Sequence, residues 1–272
     1  MALFAPAVVR RFKFDRMLKG LMRRLLETGG SALPQSIGLP PGSRLLVLAP
    51  HPDDESIGCG GTLAKWRDAG WPAKVLFLTD GRLGSRDLRA MDPADPKRSH
   101  AQQALIETRQ REAKCALQIL GVEEHAFAGI PDGELWRHTD RATEIIARAI
   151  DEDQPDLLML PFLTDRHPDH AATGASLLGA LRGLGSRRRQ KLICAGYEVW
   201  SPIQANSVID ITAWVERKKS AIGVYESQLR DTNYLDGALS LNRFRAVSSL
   251  MTGSHAEAFY VASADVYLAM AG

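Results

Sequence analysis

The sequence predicts an α/β protein: a doubly wound, mostly parallel sheet covered by helices in three layers (α/β/α), with an N-terminal amphipathic helix ahead of it. Three observations carry this. Apolar runs recur that are too short for helices and are bounded by Pro, Gly or charge, as strands buried on both faces are. Segments of helical period lie between them, and strands alternating with helices read as right-handed β-α-β crossovers. Ionisable residues gather directly after two of the runs, at a strand's carboxyl end, where open α/β sheets bind ligands.

The N-terminal segment comes first. Phe14, Met17, Leu18, Leu21, Met22, Leu25 and Leu26 recur at helical spacing, with Arg10, Arg11, Lys13, Arg16, Lys19, Arg23 and Arg24 on much of the other side, and Gly29-Gly30 ends the pattern. Residues 1–30 carry a local charge of +5 in a chain of net +2. Such a helix either packs its stripe on the domain or lies on an anionic membrane surface, so peripheral contact through residues 8–27 is an expectation. Residues 31–43, rich in Pro, Gly and Ser, read as a linker, which divides the chain into 1–43 and a domain over 44–272.

Leu45-Leu46-Val47-Leu48-Ala49 is the first buried strand, and the helix after it, Gly58 to Asp68, has glycines that permit close approach to the sheet. Ala73 to Thr79 is the second strand. The polar, Pro-interrupted span Arg86 to His100 reads as a long loop bordering the site. Gln103 to Leu120 is a helix stopped at Gly121, and Val122 to Phe127 a short strand. There follow helix Arg141 to Ile150, strand Leu157 to Leu160, helix Ala171 to Leu184, and strands Leu192 to Val199 and Val208 to Ile211. Helices over Ala213 to Leu229 and Ala238 to Met251 precede a late edge strand, Ala258 to Val261. Arg187-Arg188-Arg189 with Lys191 reads as a solvated loop, and without aromatic partners it argues for no nucleic acid.

At 272 residues, 45% hydrophobic and 24% charged, the composition is that of an ordinary globular protein. Cys59, Cys115 and Cys194 share no CxxC spacing, which points to reduced thiols and a cytoplasmic compartment. No run approaches the roughly 18 apolar residues of a membrane span. The expected location is cytoplasmic, or peripheral at the inner face of the membrane. Assembly as a homo-oligomer is compatible with the sequence.

Chemistry concentrates in His51-Pro52-Asp53-Asp54-Glu55, which follows the first strand. Three carboxylates and an imidazole in five residues repel or compete unless they share a cation, and a metal is the simplest one. His51 and Asp54 offer a nitrogen and an oxygen three residues apart, while Asp53 points elsewhere; a helix-capping loop is the bland alternative. Asp165, His167, Asp169 and His170 follow the strand at 157–160 in the same way. A dinucleotide fingerprint is disfavoured, because its glycines must follow the strand at once, and here acids that would repel phosphate fill that place.

Pro50-His51-Pro52-Asp53-Asp54-Glu55 together with His167-Pro168-Asp169-His170 resembles the zinc-dependent N-acetylglucosaminyl deacetylases of the PIG-L/LmbE family. Weaker echoes are Gly58-Cys59-Gly60-Gly61-Thr62, Thr79-Asp80-Gly81, Arg109 with Glu112, Pro131-Asp132-Gly133, Lys219 ahead of Ser227-Gln228, and Ala256-Glu257-Ala258-Phe259. The resemblance implies a Rossmann-like fold and assigns His51, Asp54 and His170 as metal ligands. Three protein ligands leave a catalytic zinc an open position. Zn2+ suits the donors, with Fe2+ or Co2+ able to take the same site.

Asp53 matches the family's general base, and as the acid beside a ligand it is free to deprotonate water. His167 fits an imidazolium that stabilises the oxyanion or protonates the leaving nitrogen. Glu55, Asp165 and Asp169 are expected to orient imidazoles. Arg109 and Asp132 fall where the family contacts sugar hydroxyls, whereas Arg82 departs from the acid or amide of many relatives. The implied activity is removal of the N-acetyl group from an N-acetylhexosamine unit of a glycolipid, polysaccharide precursor or glycosylated small molecule. The alternatives are an amidase acting on a sugar-thiol conjugate and a sugar-binding protein without catalysis, the second disfavoured by an intact Asp53.

Overall fold

A computed structural model describes residues 35–36 and 42–270. The expected basic helix lies outside the described residues. Among them, β1 (Gln35–Ser36), β2 (Leu45–Ala49), β3 (Ala73–Thr79), β4 (Glu124–Ile130), β5 (Leu157–Pro161), β6 (Ile193–Tyr197), β7 (Ser207–Asp210) and β8 (Ala256–Ser263) form one sheet, ordered β1-β7-β8-β6-β5-β2-β3-β4. Pairing is parallel except for β8, which runs antiparallel to β6 and β7.

β2 shows why the alternation produces three layers. All five of its side chains are buried. Leu45, Val47 and Ala49 face one core with α1 (Asp54–Asp68), α3 (Pro96–Leu120) and α7 (Val215–Gly223). Leu46 and Leu48 face the other, with α4 (Thr139–Asp153), α5 (Pro168–Gly183) and α10 (Ala264–Met270). A strand with apolar side chains on both faces needs a cover on both, and the helices supply it.

Val47 pairs with Val75 on one side and Met159 on the other, so β2 sits between β3 and β5. The chain leaves β2 towards β3 and β4 and returns on the opposite flank at β5. The carboxyl ends of β2 and β5 therefore diverge into a crevice, the place where such sheets bind ligands. Both acid and imidazole clusters open onto it.

Several elements differ from the sequence reading for identifiable reasons. Pro96 is the first residue of α3 and Asp95 its cap, its carboxylate accepting the Lys97 amide, so Pro begins the helix instead of breaking it. The short helix α2 (Arg86–Ala90) likewise occupies part of the expected loop. The basic run lies on α6 (Ser186–Lys191). Val224 and Tyr225 divide the expected helix 213–229 into α7 and α8 (Glu226–Leu229), followed by α9 (Tyr234–Ser248). The late strand β8 is interior, not an edge, and Gln35–Ser36 from the expected linker extends the sheet beyond β7.

The glycines of α1 work as expected. A Cβ on Gly58 would lie 2.1 Å from the Tyr197 ring, and one on Gly61 2.7 Å from Ile211. The helix breaks at Cys59 (φ −142, ψ 21), and the amides of Gly61 and Thr62 on the far side donate to Glu257 at 2.9 and 2.7 Å. Glu257 thus caps the second half of α1 from β8, paired in turn with fully buried Lys218 at 2.6 Å.

Candidate metal centre and active site

Pro50 ends β2, and the tight turn His51–Asp54 starts α1, with the Asp54 amide 3.3 Å from the His51 carbonyl and the His51 amide 2.8 Å from Asp54 Oδ2. The same Oδ2 lies 3.1 Å from His51 Nδ1 and 3.2 Å from His170 Nε2, and those two nitrogens are 3.4 Å apart. Donors about 2.0–2.1 Å from a tetrahedral zinc stand roughly 3.3 Å from one another, so this triangle has the dimensions of a three-ligand face. The donors fit a divalent metal.

The outer nitrogens fit as well. His51 Nε2 is 3.2 Å from both Asp169 Oδ2 and Asp132 Oδ1, and His170 Nδ1 is 3.3 Å from Asp165 Oδ1. A ligand imidazole characteristically gives its second nitrogen to a carboxylate, which fixes its tautomer and orientation. Two other sets, His51 with His167 and His170, and His51 with Asp132 and Asp169, also bring donor atoms within 4.8 Å. Their members are engaged elsewhere: Asp169 accepts the amides of Gly133 and Leu135 at 2.7 and 3.1 Å, and His167 Nδ1 accepts the Asp169 amide at 3.2 Å.

Electrostatics point the same way. Asp53, Asp54, Glu55, Asp132, Asp165 and Asp169 are all buried. Burial alone would discharge His51 and His170, yet their carboxylates prevail, raising His51 well above its ordinary value and His170 to about 9. For Asp54, burial is likewise outweighed by His170 and His51, which hold it well below the carboxylate range. The pocket between the rings attracts positive charge.

Asp53 occupies the first residue before α1 with φ 131, a left-handed backbone that costs a non-glycine residue energy, and its carboxylate caps nothing. Its Oδ2 lies 3.0 Å from Arg109 Nη2. Burial, only partly countered by Arg109, lifts it to about 7. A base of that pKa takes and returns protons near neutrality.

His167 caps α5 through Nδ1, which leaves Nε2 to carry the hydrogen. Burial, then the neighbouring His51 and His170 rings, push it down to about 4. Burial and the neighbouring rings thus oppose the expected imidazolium, and with Nδ1 accepting the Asp169 amide a neutral ring would carry its hydrogen on Nε2. Three further residues of the expected site make the following contacts. Glu55 touches no imidazole, because the next helical position turns it away; it accepts the Asp53 amide at 3.1 Å, Ser56 Oγ at 2.6 Å and Tyr225 Oη at 2.7 Å. Arg109 is buried, its fork spent on the carbonyls of Pro52 and Gly81 and on Asp53. Asp132 faces His51 and accepts the Leu83 amide at 3.0 Å.

The weaker motifs find partners in one another. Asp80 accepts the Asp132 amide at 3.2 Å and pairs with Arg82. Glu112 accepts both the amide and the hydroxyl of Ser227. The buried lysine is Lys218, whereas Lys219 is exposed. Cys59 lies in the apolar core. Tyr225 and Lys218 escaped the sequence reading, since nothing local distinguishes an ordinary core tyrosine or surface lysine from these; the Glu257 motif was the available signal for Lys218.

The family model described as PIG-L, GlcNAc-PI de-N-acetylase, matches residues 46–181, half of the chain and all of the residues at this centre. The chain belongs to the PIG-L family. Relatives of this PIG-L chain include a diacetylchitobiose deacetylase of Thermococcus kodakarensis, 33% identical over 199 residues, covering 68% of the chain and 70% of that protein. A probable N-acetyl-α-D-glucosaminyl L-malate deacetylase 2 of Bacillus anthracis is 28% identical over 193 residues, covering 68% and 80%. Among solved structures, a conserved protein of Thermus thermophilus superposes with a TM-score of 0.65 at 27% identity, over 80% of this chain and 94% of that one. The N,N′-diacetylchitobiose deacetylase of Pyrococcus horikoshii shares the fold with a TM-score of 0.65 at 24% identity, over 93% and 94%.

Proposed function

We propose that residues 44–272 form a zinc-dependent N-deacetylase acting on an N-acetylhexosamine unit of a larger glycoconjugate. The observation that carries this is the triangle of His51 Nδ1, Asp54 Oδ2 and His170 Nε2, with a carboxylate of pKa about 7 beside it. Zinc held by these three residues would supply Lewis acidity, which acidifies water and polarises an acetamide carbonyl.

The protein's own groups do the rest. Asp53 takes a proton from the attacking water as its oxygen bonds to the acetyl carbon. His167, its hydrogen fixed on Nε2 by the Asp169 amide, donates to the developing oxyanion. When the carbon–nitrogen bond breaks, Asp53 returns the proton to the departing nitrogen, which gives amine and acetic acid; the remaining acid proton then passes to the amine, so water and acetamide become acetate and ammonium. Asp132, Asp165 and Asp169 hold the two ligand rings in place. Glu55 holds the Asp53 peptide, and Arg109 holds the Asp53 carboxylate.

The test is acetate release from N-acetylglucosamine conjugates with and without a chelator, followed by readdition of Zn2+, Co2+ or Fe2+. Release that survives complete removal of metal overturns the reading. We also place the enzyme in the cytoplasm, with the segment ahead of β1 touching anionic membrane through residues 8–27. Among the described residues no helix is long and apolar enough to cross a membrane. Co-sedimentation with anionic vesicles at low and high salt tests that contact, and equal, negligible sedimentation of full-length and 1–40-deleted protein ends it.

A further inference from the structure

The supports of Asp53 meet at one turn that carries neither a metal ligand nor a reacting group. Tyr225, Ser227 and Gln228 lie between α7 and α9, where the Tyr225 carbonyl accepts the amides of Gln228 and Leu229 at 2.9 and 3.0 Å and so starts α8. The Tyr225 side chain is 1% exposed, in the core shared by α1, α3 and α7. A phenylalanine would fill the same apolar space. The hydroxyl has to be explained by its partner, since a buried phenol needs one.

That partner is Glu55, 170 residues away. Tyr225 Oη donates to Glu55 Oε1 at 2.7 Å, while Glu55 Oε2 accepts the Asp53 amide at 3.1 Å. The Ser56 hydroxyl, which also donates to Oε1, belongs to the same turn as Glu55. Tyr225 is therefore the contact that fixes this carboxylate relative to the rest of the fold, and the Asp53 peptide with it. A bond of this length to an ionised group is a strong one.

Two residues on, the chain takes hold of the other support. The amide and hydroxyl of Ser227 donate to the two oxygens of Glu112 at 2.8 and 2.6 Å. Glu112 stands one turn beyond Arg109 on α3, and Arg109 holds the Asp53 carboxylate at 3.0 Å. Buried Gln228 donates to Ser227 Oγ at 2.9 Å and closes over Gly84, where a Cβ would lie 2.7 Å from Gln228 Oε1 and 2.5 Å from Arg109 Nη1. Peptide and carboxylate of Asp53 are thus anchored to the same turn. A backbone at φ 131 persists only where its surroundings over-determine it, and this turn completes them.

We propose that Tyr225 and Ser227 are positioning residues for the base, Tyr225 through Glu55 and Ser227 through Glu112 and the helix that bears Arg109. This rests on the deacetylase reading, which makes Asp53 the base. Neither side chain hydrogen-bonds to a ligand of the metal centre. Removing these contacts should lower kcat and leave KM and metal content as they were, because a displaced base slows the reaction of substrate that is already bound.

The test uses zinc-loaded enzyme and acetate release from N,N′-diacetylchitobiose. Tyr225→Phe, which keeps the ring, should lower kcat about 10–100-fold. Ser227→Ala, whose amide still holds Glu112, should lose less. In an Asp53→Asn background Tyr225→Phe should cost under about 2-fold more, since residues that act as one unit are not additive. Losses that multiply, a change confined to KM, a fall in zinc content that accounts for the rate, or full turnover by Tyr225→Phe would each overturn the proposal. Amide hydrogen exchange read by NMR needs no turnover: the Asp53 amide should exchange about 10-fold faster in Tyr225→Phe than in wild type, with Val47 in β2 unchanged. If wild type releases no acetate yet the Asp53 amide responds in this way, the deacetylase reading fails and the positioning stands. Equal exchange at Asp53 in the two proteins overturns the positioning whatever the turnover.

Discussion

Arg109 Nη2 lies 3.0 Å from Asp53 Oδ2 and 2.6 Å from the carbonyl oxygen of Pro52, so one buried guanidinium fixes both the proposed base and the peptide that precedes it. The contact matters because Asp53 sits at φ 131 in a pocket of other carboxylates, where neither its backbone nor its charge is at ease. Without a cation beside it, burial would carry the carboxyl further from ionisation.

Asp53→Asn should therefore keep its metal and lose rate by about 10²–10⁴-fold, the usual contribution of a positioned base. The base works only when deprotonated. In wild type kcat/KM should fall as pH drops through a midpoint at or below about 7, since Arg109 and any bound cation favour the carboxylate. Elemental analysis and a pH profile check both parts; near wild-type turnover in the variant removes Asp53 from the mechanism.

Arg109→Met removes the nearest positive charge. The carboxylate loses its stabilisation, its pKa rises, and the acid limb of the profile should move to higher pH, with activity at pH 9 less affected than activity at pH 7. A limb that stays in place would mean that Arg109 acts on the substrate and not through Asp53.

His51→Ala, Asp54→Ala and His170→Ala should each lower metal occupancy, because each deletes one of three protein donors 3.1–3.4 Å apart. Metal content measured on the purified variants decides this. Full occupancy in all three would rule out the assignment.

His167→Ala should retain metal while kcat drops by about 10²–10³-fold, as for loss of one oxyanion donor. Because burial and two neighbouring imidazoles hold this ring near 4, it is neutral from pH 6 to 9 and gives the profile no alkaline limb. The deficit should thus be constant across that range, and a pH-dependent deficit would restore the imidazolium.

Lys218→Met leaves Glu257 buried without its cation, 2.6 Å from where the ammonium stood, and should destabilise the fold by about 3–5 kcal/mol. Lys218→Met combined with Glu257→Gln should lose less, since the amide oxygen still caps Gly61 and Thr62. Denaturant melts of the two variants make the comparison.

What the sequence determined by itself was whatever depends on neighbours along the chain. Leu45–Ala49 is apolar on both faces and stops at Pro50, so its residues must be a buried parallel strand, and the acids after it must stand at the sheet's ligand-binding edge. His51 and Asp54 come from one turn, three residues apart, and their pairing needs no more than that turn. Only the tertiary structure decided where the remaining charges go. Arg109 is 56 residues from Asp53 and Asp169 118 from His51, and no periodicity tells whether such groups meet each other or a substrate. The protonation of His167 depends on how deeply the fold buries it and on two rings brought from elsewhere. The same is true of Pro96 and β8: a helix-starting proline and an interior strand look locally like a loop and an edge. Burial and long-range hydrogen bonding distinguish them, and both exist only once the sheet has closed.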